Sequence, residues 1–156
     1  MSWIIYKKGS LFDSPEGSYR AQACNTVGAW GAGIAAEFAR RFPVSEKEYI
    51  KHCRIHTSDL VGESFITSEK VVCLFTSEFS GANKDEVADI LLHTLWALKD
   101  FFGKLDLGVN EVHSNKFNSG IFNVPWKDTE IILKGVMALY GPPDLTWTVW
   151  DPELKT

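Results

Sequence analysis

Basic residues are not in surplus in this chain: 16 Lys and Arg stand against 20 Asp and Glu, for a formal net charge of −4. A surface built to hold duplex nucleic acid needs a basic face, so that class is excluded as the main partner. A small anionic ligand is not excluded, because backbone amides hold phosphate without any net charge. Cysteine is scarce and scattered. Cys24, Cys53 and Cys73 form no C-x-x-C pair, so neither a disulfide framework nor a metal site is expected. Reduced thiols in a cytoplasmic or nuclear protein are the expectation. Long apolar runs are missing too. The run from Trp3 to Tyr6 is too short for a signal-peptide core, and nothing approaches the ~18 residues of a membrane span, so no membrane partner is expected.

What remains is a chain of 156 residues with 45% apolar and 23% charged content, which reads as one globular domain over residues 1–156. That length buries roughly 68–70% of the unfolded surface, enough for a core without staples. Strand-like and helix-like runs alternate. Trp3 to Tyr6 and Arg20 to Cys24 read as strands, and Ile34, Phe38 and Phe42 place apolar groups at i, i+4 and i+8 of a helix that Pro43 stops. A second helix spans Val44 to about Ile55. Glu63 to Thr67 and Val71 to Thr76 are strand-like, the latter continuously apolar, as suits a central strand. The spacing predicts the longest helix over Lys84 to Phe102, with Asp85 and Glu86 in its first turn and a buried stripe of Val87, Leu91, Leu95, Leu98 and Phe102. Val109 to His113 is a fifth strand, Pro125 to about Tyr140 a last helix, and Leu145 to Trp150 the closing strand. This alternation implies an α/β fold, a three-layer α/β/α sandwich with a mixed sheet of about six strands.

Two glycine-containing loops each join a strand to a helix. The first, Asn25 to Ala35, carries Gly28, Gly31 and Gly33 and precedes a helix whose first amides are ready for a phosphate. It is not a P-loop, because no Gly-Lys-Ser/Thr follows, and its glycine spacing is not the dinucleotide-binding one. The second, Asn118 to Trp126, holds Ser119 and Gly120, which permit close backbone approach, and an apolar Phe122. In open α/β sheets ligands bind outside the carboxyl ends of the strands, where two such loops face each other.

The pairing of these loops resembles the macrodomains. Cys24-Asn25 through Gly31-Ala32-Gly33-Ile34-Ala35 is similar to their first phosphate loop, and Asn118-Ser119-Gly120-Ile121-Phe122-Asn123-Val124-Pro125-Trp126 to their second. Tyr6 to Phe12 resembles the opening strand and turn, and Thr148-Val149-Trp150 the closing strand. Within the family the chain looks most like the fungal-type ADP-ribose 1″-phosphate phosphatases. The resemblance implies a monomer without a cofactor that binds ADP-ribose and removes phosphate from its 1″-phosphate. Removal of ADP-ribose from a modified protein or nucleic acid, and binding without chemistry, stay open as alternatives. It further implies that amides of Gly31, Ala32, Gly33, Ile34 and Ala35 face those of Ser119, Gly120, Ile121, Phe122 and Asn123 across a diphosphate. Asn25 would serve the terminal ribose and orient water, and Trp30 and Phe122 would wall that ribose. Trp150 would stack on adenine, with Gly9, Ser10 and Leu11 beside it.

Three positions depart from the family pattern. Ser10 stands where an aspartate accepts from the adenine amino group, with Asp13 near enough to substitute. Gln22 stands where the fungal phosphatases carry a histidine, and a glutamine exchanges no proton near neutral pH. Ser77 stands where some relatives carry a nucleophilic lysine, and no partner base is in view. His113, at a strand end before the second loop, is the one histidine expected near the cleft and is a candidate for catalysis alongside Asn25. His52 and His56 lie at i, i+4 without a third ligand and read as surface residues; His93 reads as structural.

Overall fold

The computed structural model describes residues 2–79 and 85–155. In chain order the elements are β1 (Trp3–Lys8), β2 (Tyr19–Asn25), α1 (Gly33–Arg41), α2 (Pro43–His56), β3 (Ser64–Ile66), β4 (Val71–Ser77), α3 (Val87–Lys104), β5 (Glu111–Ser114), α4 (Trp126–Tyr140) and β6 (Thr146–Asp151). The six strands form one sheet in the order β1-β6-β5-β2-β4-β3. All neighbours are parallel except the short edge strand β3, which runs antiparallel to β4. The expected mixed sheet of six strands is present. Every residue of β4 is buried, as its unbroken apolar run requires.

Alternation along the strands divides the core in two. Ala21, Val72, Leu74, Val112, Trp147 and Val149 face α3 and α4, where Leu98, Phe101, Leu133 and Met137 meet them. Cys24, Val71, Cys73, Phe75 and Trp150 face α1 and α2, with Phe38 and Tyr49. Phe38 is fully buried, and Ile34 and Phe42 pack beside it, as the i, i+4, i+8 spacing predicts.

The third helix differs from expectation at its start. Lys84 lies outside the described residues. Glu86 is the N-cap, with extended backbone, so neither it nor Asp85 sits in the first turn. The Asp85 carboxylate instead accepts from the Glu78 amide at 3.3 Å and faces His93 Nδ1 at 3.7 Å. Of the expected stripe, Leu98 and Phe102 are buried, Leu91 and Leu95 are half-buried and Val87 is exposed; Ile90, Thr94, Ala97 and Phe101 are buried with them. The α3 face turns toward both β4 and α4, and that packing buries the additional positions. The fifth strand begins two residues later than expected, because Val109 closes a turn onto Asp106.

β2 and β5 are neighbours, and both end at the same rim. From β2 the chain turns into α1 on one face of the sheet; from β5 it turns into α4 on the other. This divergence opens a crevice at the carboxyl ends of the two strands, where both glycine loops meet.

Candidate binding cleft

The crevice is a cleft of about 350 Å³, within the range of small-molecule sites. Asn25, Trp30, Gly31, Ala32, Gly33, Ile34 and Ala35 line it from the first loop, and Gly120, Ile121 and Phe122 from the second. None of its lining side chains is charged. Recognition of an anion there falls to main-chain amides.

The first loop delivers those amides. α1 begins at Gly33 with Ala32 as N-cap, no side chain caps it, and no acid stands in its first turn. The first intrahelical bond is donated by Ala36 to Ala32, so the amides before it point out of the helix without a partner in it. Gly33 has a φ of 57°, a conformation that favours glycine, and a side chain there would meet nothing within 4 Å. In the second loop the amides of Ser119, Asn123 and Val124 close turns onto Lys116, Gly120 and Asn118. That leaves Gly120 and Phe122 with amides free of such turns. Ser119 is engaged within the loop: its amide and its hydroxyl both donate to the Lys116 carbonyl, and it does not line the cleft.

Both loops are braced by asparagines. Asn25 Oδ1 accepts from the amides of Val27 and Ala29 at 3.1 Å each and from the Tyr49 hydroxyl at 2.8 Å. Its Nδ2 donates to the Ala29 carbonyl at 2.8 Å. These bonds make Asn25 the fastener of the first loop. Asn118, with a φ of 69°, does the same for the second. Its Oδ1 accepts from Thr76 at 2.8 Å, and its Nδ2 donates to Thr94 at 2.9 Å and Thr129 at 3.4 Å. Trp30 lines the cleft while stacked on Tyr49, ring centroids 4.6 Å apart.

Other sequence candidates lie elsewhere. His113 is buried beneath the rim; its Nδ1 accepts from the Trp150 indole at 3.0 Å, which places the proton on Nε2, 3.1 Å from Glu111. Burial pushes its pKa below the ordinary imidazole value. Both of its nitrogens are therefore engaged by protein groups, and His113 has no place on the cleft wall. The Ser77 hydroxyl is closed on its own turn, accepting from the Phe79 amide at 3.0 Å and donating to its carbonyl at 3.1 Å. Ser10 caps the short 3-10 turn Leu11–Asp13: its hydroxyl accepts from Phe12, and its amide donates to Asp13 Oδ2, both at 3.1 Å. Gly9, Leu11 and Trp150 pack together beside that turn. Gln22 is fully buried on the α1/α2 face, and Asn123 closes a turn at the loop's end. None of Gly9, Ser10, Leu11, Gln22, Ser77, Asn123 or Trp150 lines the cleft. Cys24, Ala29 and Asn118, within the loop motifs but given no role by the sequence, line it as well, and Ala23, Asn115 and Phe117 line it from outside those motifs.

The sequence pattern of the Macro domain matches residues 21–133, a stretch that contains both loops and all the strands between them. The chain belongs to the macrodomain family. This macrodomain is 35% identical to the ADP-ribose 1″-phosphate phosphatase of Meyerozyma guilliermondii, over 86% of this chain and 94% of that protein. It is 40% identical to the phosphatase of the same name from Candida albicans, over 84% and 92% respectively. The solved macrodomain of Mycobacterium tuberculosis DarG shares its fold with a TM-score of 0.78, at 21% identity and 96% coverage of this chain and 98% of that one.

Proposed function

We propose that this macrodomain binds ADP-ribose in the cleft between its two loops and releases phosphate from ADP-ribose 1″-phosphate. The observation that carries the reading is the uncharged cleft rimmed by unpaired amides, in a chain 35% identical along nearly the whole length of a phosphatase of that name. The diphosphate lies between the amides at the start of α1 and those of Gly120 and Phe122. In hydrolysis a water oxygen joins phosphorus, the bond to O1″ breaks, and that oxygen takes a proton as the ribose hydroxyl. The charge that develops on the phosphoryl oxygens is what aligned amides stabilise.

Binding without turnover is the second reading, and one observation favours it: Asn25 Oδ1, the Ser77 hydroxyl and both His113 nitrogens are all engaged by protein groups. A calorimetric titration with ADP-ribose, and with ADP as control, tests what both readings share. One-to-one binding with ADP weaker supports the cleft. Equal affinity for ADP removes the terminal ribose from recognition, and no binding of either removes both readings.

A further inference from the structure

The second loop is pinned at two points. Asn118 ties its middle to threonines of β4, α3 and α4. The other point is Lys116, just past the end of β5, whose neighbours Asn115 and Phe117 line the cleft while it does not. The Lys116 carbonyl accepts from the amide and the hydroxyl of Ser119 and so closes the first turn of the loop. Its ammonium reaches Asp151 Oδ2 at 2.8 Å. Asp151 is the last residue of β6, the strand beside β5. Its Oδ1 accepts from the Glu153 amide at 2.9 Å, and its carbonyl accepts from the Gly9 amide at 3.2 Å, just past the end of β1. The Lys116 ammonium, with the Glu153 amide, holds the Asp151 carboxyl below the ordinary carboxylate range.

We propose that the Lys116–Asp151 ion pair positions the second loop for its ligand and masks a carboxylate that would repel it. The inference rests on ADP-ribose being the ligand of the cleft. Gly120 and Phe122, which offer amides to the diphosphate, follow directly on the turn that Lys116 closes. With its side chain tied to the end of β6, Lys116 fixes where that turn begins. A loop anchored in advance loses less freedom when a ligand orders it, so the pair favours binding without touching the ligand. The electrostatic part has its own sign. No lining side chain of the cleft is charged, so nothing in its wall offsets a carboxylate at the rim. An unpaired Asp151 adds repulsion toward a diphosphate, and an unpaired Lys116 adds attraction. Lys116 and Asp151 are positioning residues, acting through the amides of the loop.

Three variants test the pair: Lys116→Met, Asp151→Asn and the two together. Each is titrated with ADP-ribose well below its own melting transition, so that all of the protein is folded. The double variant removes the tie and leaves no unpaired charge behind. It is expected to bind roughly two- to fivefold more weakly than wild type, the range of a partly exposed pair. Lys116→Met loses more than the double variant, because its bare carboxylate repels the ligand, and Asp151→Asn loses less. The ratio of wild-type to double-variant affinity shrinks toward one as salt rises from about 20 mM to about 500 mM, where the screening length is a few ångströms. Wild-type affinity in the double variant overturns the proposal, and a melting temperature that falls alongside it marks a pair that serves only the fold. Tighter binding by Asp151→Asn than by wild type overturns it as well, since charge alone then governs. A wild-type protein that binds no ADP-ribose overturns the proposed function itself.

Discussion

The Tyr49 hydroxyl lies 2.8 Å from both the main-chain carbonyl and the side-chain oxygen of Asn25. Tyr49 is fully buried on α2, so the second helix of the chain holds the loop that precedes the first. Trp30 stacks on the same ring. Tyr49→Phe keeps the ring and deletes the hydroxyl. We expect a loss of about 1 kcal/mol in stability, read as a fall of roughly 2–4 °C in melting temperature. ADP-ribose affinity falls with it, because the first loop's amides lose a brace. Unchanged melting and unchanged affinity together would remove Tyr49 from the site's architecture.

Asn118 ties the second loop to β4, α3 and α4 through three threonine hydroxyls. Asn118→Ala removes those bonds and leaves alanine in a left-handed conformation that asparagine tolerates better. A loss of about 2–4 kcal/mol in a urea titration is expected from the two effects together. Thr94→Val, which leaves the other two partners in place, is expected to lose about 1 kcal/mol.

Gly120 tests the cleft without touching the core. A side chain there meets nothing within 4 Å, and the backbone is not in the glycine-favouring region. Gly120→Val is expected to keep stability within about 0.5 kcal/mol, as at other open surface positions. It fills the cavity wall, so ADP-ribose binding should fall by more than about tenfold, a loss of at least one well-made contact in free energy.

His113 gives a pH signature of folding. Its folded pKa is lowered by burial below the unfolded value, so its neutral form is the one the fold favours. Its contribution is present above the unfolded pKa and is lost as pH falls from there toward the folded pKa. His52 on α2, lowered by burial and by His56, acts with the same sign. The urea midpoint of the wild type should fall between pH 7.5 and pH 5. His113→Gln, whose amide can serve both Trp150 and Glu111 without titrating, should show a shallower fall. Equal slopes would mean that His113 carries none of it.

Much of the fold was legible in the sequence because strong patterns carried it. Val71 to Phe75 could hardly be anything but a central strand, and Phe38 with its neighbours on α1 announced a buried face. The start of α3 was not legible, since Asp85 is drawn to the Glu78 amide rather than to the helix dipole, and propensity says nothing of such a contact. Ser10 and Asp13 had a readable signal. A serine three residues before an acid is a capping box, and the turn they close is what occupies both. The loops of the cleft were legible from their glycines, whereas the engagement of Asn25 depends on Tyr49, 24 residues away in sequence. Asn115 carried no signal at all. Its place on the wall follows only from the pairing of β2 with β5.

The most direct test of the account is phosphate release from ADP-ribose 1″-phosphate by the purified protein, with nucleotide products separated in the same assay. The account predicts inorganic phosphate and ADP-ribose in equal amounts, above the rate of Gly120→Val and suppressed by added ADP-ribose. No release above that of Gly120→Val, by a protein that still binds ADP-ribose in the titration, would contradict the phosphatase and leave a macrodomain that reads ADP-ribose without changing it.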